Sequence, residues 1–113
     1  VVPVPLHSRR LRRRGCNQAE LLASELGRGL AILFDRRGLA RLEAGAPQAR
    51  SANREERRAN VAGAFRALRS FSGARVAVVD DVVTTGATLD ACAEALLDAD
   101  ARSVVGVAFA RKV

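Results

Sequence analysis

The apolar positions of this 113-residue chain predict strands and helices in alternation. A short apolar run over residues 1–6 indicates a buried strand, which Pro5 should end. Asn17 has the chemistry of a helix N-cap, and Glu20 lies three residues later as its capping-box partner. The helix predicted after this cap places four apolar residues on one face at helical spacing: Ala19, Leu22, Leu26 and Leu30.

The middle of the chain carries weaker signals. Residues 31–34 are apolar and could form a strand that enters a hairpin. Residues 45–51 are predicted to form a loop, because they combine a proline with small residues. Asn53 and Glu56 have capping-box spacing and predict a short polar helix, and residues 63–65 could form a short strand after it.

The last third of the chain predicts a strand, a helix and a strand, in the order of a parallel βαβ unit. The strand over residues 75–80 is almost entirely apolar, which predicts cover on both faces. A second Val-rich strand follows over residues 103–109. The helix between them, over residues 87–99, should pack through Leu89, Cys92, Ala93, Leu96 and Leu97. The predicted fold class is therefore α/β, a parallel sheet flanked by helices.

Two adjacent carboxylates stand where the first of these strands should end. Ligands of open parallel sheets bind at the carboxyl ends of the strands, and Asp80 and Asp81 occupy such an end. Neighbouring acids repel each other, and burying them is costly unless a partner arrives. The vicinal diol of a ribose is such a partner, because each hydroxyl can donate to a carboxylate. A divalent cation nearby would also relieve the repulsion.

The acidic pair is followed by a turn that leads into a helix. Helix N-terminal N–H groups and the positive end of the helix dipole favour a phosphate there. Three threonine hydroxyls add donors, and Gly86 permits a close approach or a positive φ. The residues predicted to bind ribose 5-phosphate are Asp80, Asp81, Val82, Val83, Thr84, Thr85, Gly86, Ala87 and Thr88.

Other interpretations of this segment stay open. Thr84 or Thr85 could simply cap the helix, with the two acids as a solvated strand end. A receiver-like acidic pocket or a Walker B strand would also end in acids. Neither explains the threonine-rich turn, and the chain has no GxxxxGK[ST] motif.

Charge is distributed unevenly along the chain. Residues 1–75 contain 16 arginines and six acidic residues, a net charge of +10, whereas residues 76–113 have a net charge of −3. Arginine suits bidentate recognition of phosphate, so the expected partner is an anion: pyrophosphate, a nucleotide or a nucleic acid. No apolar run approaches the roughly 20 residues that span a bilayer, and no signal peptide is visible. These features predict a cytoplasmic protein without a membrane span.

The run Val78-Val-Asp-Asp-Val-Val-Thr-Thr-Gly-Ala-Thr88 resembles the signature of type I phosphoribosyltransferases, which bind phosphoribosyl pyrophosphate (PRPP). Three further segments are similar to the ComF/GntX family: Val2-Pro-Val-Pro-Leu-His7, Arg14-Gly-Cys-Asn-Gln-Ala-Glu-Leu-Leu-Ala23 and Asn53-Arg-Glu-Glu-Arg-Arg-Ala-Asn-Val-Ala-Gly-Ala-Phe65. The resemblance implies one Rossmann-like phosphoribosyltransferase domain over residues 1–113, with a flexible hood loop. Because family members often begin with a zinc segment and a first helix, N-terminal truncation is expected.

The resemblance also implies roles for individual residues. Asp80 and Asp81 would be catalytic residues that bind the ribose hydroxyls, with Mg²⁺ bridging ribose and pyrophosphate oxygens and no direct protein ligand to the metal. Residues 84–88 would hold the 5′-phosphate. The pyrophosphate would contact the loop after the first strand and the hood: Leu6, His7, Ser8, Arg9, Arg54, Arg57 and Arg58. Asn17 and Gln18 could cap the helix or shape the floor of the site.

Two functions stay open at this point. The domain could be a phosphoribosyltransferase in which a nucleobase or another nitrogen nucleophile displaces pyrophosphate, with positioning and electrostatics supplying most of the acceleration. It could also be a non-catalytic ComF-like accessory protein in DNA uptake or DNA processing, with DNA or a helicase-like protein as its partner. The four phenylalanines lie in apolar contexts, so they are expected in the core rather than in base stacking. A homodimer is compatible with either function.

Overall fold

The computed structural model describes residues 1–6, 17–42 and 64–112. In chain order, these ranges form β1 (Val2–Pro3), α1 (Gln18–Leu30), β2 (Leu39–Arg41), β3 (Phe65–Ala67), β4 (Arg75–Val83), α2 (Ala87–Asp98) and β5 (Ser103–Arg111). Three predicted segments lie outside the described residues: the loop after the first strand from His7 onwards, the loop over residues 45–51 and the polar helix after Asn53.

Strands β1, β4 and β5 form a parallel sheet with β4 in the centre. Val2 of β1 lies opposite Val78, and β4 pairs with β5 from Arg75 opposite Ser103 to Val83 opposite Arg111. Since the three strands run in the same direction, their carboxyl ends meet at one edge of the sheet. The predicted α/β fold and its βαβ unit, β4–α2–β5, are confirmed.

The central strand is covered by a helix on each face. Val76 and Val78 belong to the main core cluster, together with Cys92 and Leu96 of α2. Because side chains alternate along a strand, buried Val79 points to the opposite face, where α1 packs on β1 and β4. The apolar character of residues 75–80 therefore reflects burial on both sides, as predicted.

Helix α1 begins at the predicted cap. The side-chain oxygen of Asn17 accepts a hydrogen bond from the backbone N–H of Ala19 at 3.1 Å. Its side-chain nitrogen donates to the carbonyl of Val4 at 3.0 Å, so the cap also ties the helix to the end of β1. Glu20, the predicted capping-box partner, forms an ion pair with Arg36 at 2.5 Å.

The predicted apolar face of α1 is confirmed only in part, because Ala19 is buried and Leu22 and Leu26 are only partly buried. The residues that α1 buries are Ala19, Ala23 and Gly27, whereas Leu30 is 61% exposed. Small residues four positions apart let the helix backbone approach its neighbours closely. A Cβ atom added to Gly27 would lie 3.2 Å from the Cγ1 atom of Val1, which leaves little room for a larger residue. Hydrophobicity alone pointed to the neighbouring leucines.

Helix α2 ends at Asp98, one residue before its predicted end. Its buried residues are Ala91, Cys92, Ala95 and Leu96, and Leu97 is 48% exposed. Cys92 and Leu96 are therefore buried as predicted and Leu89 packs against the core, but the alanines Ala91 and Ala95 complete the buried face in place of Leu97.

The apolar segment over residues 31–34 does not form the predicted strand. Ala31 has a φ of 55° and ends α1, and Leu33 is 90% exposed. The hairpin is built from β2 and β3, with Leu39 opposite Ala67, and β3 confirms the strand expected near residue 65. Buried Leu39 and Phe65 attach this hairpin to the core beneath α2.

The last strand is less buried than its sequence suggests. Strand β5 runs two residues beyond its predicted end, and Val105 and Phe109 are 59% and 78% exposed. Phe109 is therefore not the core residue that its apolar context indicated. In the ranges that the structure describes, no helix is long and apolar enough to cross a membrane.

The close approach of α1 predicts opposite outcomes for two substitutions. Ala23→Leu should cost about 1–3 kcal/mol in the free energy of unfolding, because a fully buried alanine has no space for a larger side chain. Leu30→Ala should change stability by no more than about 0.5 kcal/mol, because this leucine is exposed. Chemical denaturation of the two variants measures both values. A larger cost for Leu30→Ala than for Ala23→Leu would contradict the assignment of the buried face.

Candidate functional site

Asp80 and Asp81 lie within the carboxyl-terminal part of β4, and the strand continues beyond them. Strand β4 continues to Val83, three residues past its predicted end, and Asp80 still lies opposite Ala108 of β5. The prediction stopped the strand at the first charged residue. Backbone pairing with the apolar strand β5 extends β4 to Val83, so both acids lie within the strand.

Local hydrogen bonds orient the two carboxylates. The backbone N–H of Asp81 donates to Oδ1 of Asp80 at 2.9 Å, and the N–H of Val82 donates to Oδ1 of Asp81 at 2.8 Å. Each bond uses one oxygen of a carboxylate that has two, and each oxygen has two lone pairs. Both acids therefore keep acceptor capacity for a ligand that carries hydroxyl groups.

The half-buried position of Asp80 changes its acidity. The pKa of Asp80 is raised from 3.8 to about 6. Burial is the largest cause and the side chain of Asp81 adds to it, whereas the backbone hydrogen bond from Asp81 and the positive charge of Arg41 oppose the shift. At neutral pH the carboxylate is charged at a cost in stability. Costly charges of this kind cluster at sites where a ligand or substrate compensates them.

A small cavity lies between the acids and the start of α2. It has a volume of about 40 Å³ and is lined by Asp80, Val82, Val83, Thr84, Thr85, Gly86, Ala87 and Thr88. Gly86, the N-cap of α2, has a φ of 84°, a conformation that glycine adopts without strain. The N–H of Ala87 donates to the hydroxyl of Thr85 at 3.3 Å. The cavity therefore borders the positive end of the helix dipole.

A larger cleft opens on the other side of the acids. Its volume is about 420 Å³, and its lining comes from four sides: the end of β1, the start of α1, the hairpin and the ends of β4 and β5. The lining residues are Val4, Pro5, Leu6, Asn17, Gln18, Arg41, Asp80, Asp81, Val82, Thr84, Thr88 and Lys112. Asp80, Val82, Thr84 and Thr88 line both cavities, so Asp80 borders the two, whereas Asp81 lines only the larger cleft.

The structure brings the predicted ribose 5-phosphate residues together at one edge of the sheet. Of the residues predicted for pyrophosphate, Leu6 lines the larger cleft. The others lie outside the described residues: His7, Ser8, Arg9, Arg54, Arg57 and Arg58. Asn17 both caps α1 and lines the cleft with Gln18, which joins the two alternatives considered for this pair.

Two positively charged residues of the cleft, Arg41 and Lys112, are not among the site residues predicted from the sequence. Arg41 donates through Nε to the carbonyl of Pro5 at 3.2 Å, and its guanidinium lies 4.9 Å from the centre of the Phe65 ring. Lys112 continues the sheet, because its backbone N–H donates to the carbonyl of Val83 at 2.9 Å. Arg41 lies in the weakly patterned middle of the chain, where neither period nor motif distinguishes it from the other arginines.

The donor set bears on metal binding. In the part of the chain that the structure describes, no group of three or more His, Cys, Asp or Glu side chains could hold a metal ion. Proteins commonly bind Mg²⁺ through one or two carboxylates together with substrate phosphates, and the Mg²⁺ expected with PRPP stays a prediction. Cys92 offers no alternative chemistry, because burial raises the pKa of its thiol to about 12.

Because burial disfavours the charged form of Asp80, we predict that Asp80→Asn is more stable than the wild type at neutral pH and above. The pKa of Asp80 is raised in the folded state, so folding is penalised above pH 6, and the penalty disappears as the pH falls towards 4. Asp80→Asn should therefore gain roughly 1 kcal/mol at pH 8, after allowance for solvent screening of a half-exposed group, and nothing below about pH 4. Thermal unfolding across this pH range measures the difference.

Glu94→Gln is the matched control, because Glu94 is exposed in the middle of α2. Its stability relative to the wild type should not follow the same pH profile. Destabilisation by Asp80→Asn at pH 8 would contradict the assignment of Asp80 as a costly charge.

Comparison with known proteins agrees with this site. The family model described as the phosphoribosyl transferase domain matches residues 11–112. The chain is 40% identical over 104 residues to the DNA utilization protein YhgH of Escherichia coli K12 and of Salmonella typhi. It is 42% identical over 93 residues to Competence protein F of Haemophilus influenzae. No solved structure matches significantly.

These matches cover most of the chain but less than half of each relative. They include 92% of the chain and 45% of the YhgH proteins, and 80% of the chain and 40% of Competence protein F. The chain thus spans about half the length of the curated relatives that it matches. The extent of the family match, with the parallel sheet and its edge site, shows that the chain belongs to the phosphoribosyl transferase domain family.

Proposed function

We propose that this domain binds PRPP together with Mg²⁺ at the carboxyl edge of its parallel sheet. One observation carries the proposal. Asp80 and its neighbours separate a small cavity at a helix N-terminus from a larger cleft. The groups of PRPP follow the same order. Its 5′-phosphate would match the small cavity, its ribose diol would match the acids, and its substituent at C1 would match the larger cleft.

The small cavity suits the 5′-phosphate. Backbone N–H groups at the start of α2, the hydroxyls of Thr84 and Thr88 and the helix dipole all favour an anion there. A residue with a side chain would be strained at Gly86, because φ is 84°. The phosphate is bound by groups that are already in place, which reduces the entropy lost on binding.

The acidic pair suits the ribose hydroxyls. Both carboxylates keep an acceptor oxygen, and hydrogen bonds from a diol would offset the cost of charging Asp80. The C1 substituent would then project into the larger cleft, between Leu6 and Arg41 on one side and Lys112 on the other. Bound through ligand oxygens, Mg²⁺ would supply charge neutralisation for the pyrophosphate.

The same arrangement supports transfer as the reaction. Loss of pyrophosphate develops positive charge on the ribose ring, and Asp80 and Asp81 lie where negative charge would stabilise it. A nitrogen nucleophile would attack C1, forming the C–N bond as the C–O bond to pyrophosphate breaks. The cleft of about 420 Å³ falls within the range of small-molecule sites. Cytoplasmic location and the identity of the nucleophile stay predictions.

Removal of both acidic charges provides the central test. The double variant Asp80→Asn with Asp81→Asn should lose measurable PRPP binding, because neutral amides accept hydrogen bonds more weakly than carboxylates. Isothermal titration with PRPP and Mg²⁺ measures the affinity, and Glu94→Gln should bind like the wild type. Unchanged PRPP affinity in the folded double variant would remove the basis of the proposal.

Transfer needs a separate measurement. The wild type, incubated with PRPP, Mg²⁺ and a panel of nucleobases and other nitrogen compounds, should release pyrophosphate with at least one of them. Binding of PRPP without release in any mixture would leave a ligand-binding domain without transferase activity.

A role in DNA uptake or processing is the second candidate. It is favoured by the names of the relatives, DNA utilization protein and Competence protein F, and by the net charge of +10 in residues 1–75. If arginines contact DNA phosphates, the affinity for duplex DNA should fall steeply with salt, with a slope of about −0.9 per neutralised phosphate in a logarithmic plot. Fluorescence anisotropy between low and physiological salt measures this slope. An affinity that does not depend on salt would argue against phosphate contacts.

A further inference from the structure

Arg41 lies where three parts of the structure meet around the cleft. It is the last residue of β2 and lies opposite Phe65 of β3. Its Nε atom donates to the carbonyl of Pro5, just beyond β1, at 3.2 Å. Its guanidinium lies 4.9 Å from the centre of the Phe65 ring, and the residue is part of the lining of the cleft with Asp80 and Asp81. The side chain is therefore anchored on two sides before any ligand binds.

The anchors fix a positive charge inside the cleft. Phe65 is only 6% exposed, so the face on which Arg41 rests belongs to the core and cannot move freely. An arginine over an aromatic face gains cation–π attraction and loses little entropy when its planar group is held. Exposed Arg66, the next residue of β3, lacks this environment, although it lies on the same hairpin.

The charge of Arg41 reaches the acidic edge. It lowers the pKa values of Asp80 and of Cys92 in α2, against the larger effect of burial on both groups. Among the described residues, the charges that shift the pKa of Asp80 belong to Asp81 on its own strand and to Arg41 of the hairpin, and Asp80 in turn raises the pKa of Cys92 in α2. Lys112, at the end of β5, lines the same cleft.

We propose that Arg41 is a positioning residue for the ribose site, whose anchored guanidinium keeps Asp80 in the charged form that accepts hydrogen bonds from a ribose diol. This inference rests on the proposed function for its ligand, but its effect on Asp80 exists in the free protein. Arg41 thereby links the hairpin and the end of β1 to the acidic edge of β4. Removing its charge weakens ribose binding through Asp80 rather than through a contact with the ligand.

Titration of the free protein tests the link directly. Arg41→Met keeps most of the side-chain length but removes the charge and the donor to Pro5, and Arg41→Lys keeps the charge alone. Carbon-detected NMR of the Asp80 carboxyl group should show a higher titration midpoint in Arg41→Met than in the wild type, with Arg41→Lys between them. Arg66→Met, from the same hairpin, should titrate like the wild type. An unchanged midpoint in both Arg41 variants would overturn the proposal, whether or not the protein binds PRPP.

Ligand binding distinguishes action through Asp80 from direct contact with pyrophosphate. Between pH 5 and 8, Arg41→Met should lose affinity for PRPP and for ribose 5-phosphate alike. If the midpoint moves upwards by one pH unit from about 6, the loss should be about fivefold at pH 6, approach about tenfold at pH 5 and nearly disappear at pH 8. Isothermal titration with both compounds measures the affinities, with Arg66→Met as the control. Loss of PRPP affinity alone, equal at every pH, would show a direct pyrophosphate contact and contradict the positioning role.

If Arg41→Met does not fold, the smaller change in Arg41→Lys decides the question. This variant keeps the positive charge but loses the hydrogen-bond geometry of the guanidinium. Its Asp80 midpoint should therefore lie slightly above that of the wild type. A midpoint in Arg41→Lys that moves downwards would overturn the proposal.

Discussion

The parallel pairing of β4 with β1 and β5 is the constraint on which the site depends. It buries the middle of β4 on both faces and continues past the apolar residues to Val83. Backbone hydrogen bonds to β5 hold the end of β4 in the sheet. Asp80 and Asp81 therefore stay in place although water would solvate their charges better. The carboxylates of Asp80 and Asp81 are thus presented at a fixed position beside the two cavities.

This position has a cost that the fold itself does not recover. The pKa of Asp80 is raised to about 6 chiefly by burial, so the charged group opposes folding at neutral pH. A core designed only for stability would place an apolar or amide side chain here. Stability lost at one residue and regained when a ligand binds is characteristic of functional sites.

Much of the fold could be predicted from sequence because the strongest patterns lie in the central βαβ unit. Residues 75–80 form an unbroken apolar run, and the cap at Asn17 marks the start of α1. The packing faces of the helices could be predicted only in part, because at several positions close approach favours alanine or glycine over the neighbouring leucines. Ala23 is fully buried while Leu30 is exposed, a choice that depends on the distance between α1 and the sheet.

The candidate site could also be predicted from the sequence only in part. The residues from Asp80 to Thr88 are contiguous, so a linear motif contains both the acids and the turn that follows them. Arg41 joins them only in three dimensions, through the carbonyl of Pro5 and the ring of Phe65. No period or motif marks such a residue, because its role arises from the meeting of a hairpin with the end of a distant strand.

Family membership narrows the chemistry of this edge without deciding between transfer and binding. Under the proposed function, positive charge that develops on a ribose ring and the ground-state diol of the same ring would both interact favourably with Asp80 and Asp81. The acids therefore serve a binding protein as well as an enzyme. The difference must come from the larger cleft, where a transferase needs space for a nucleophile in line with the departing pyrophosphate. Arg41 and Lys112 line that cleft together with the acidic pair, so its charge is not set by the acids alone.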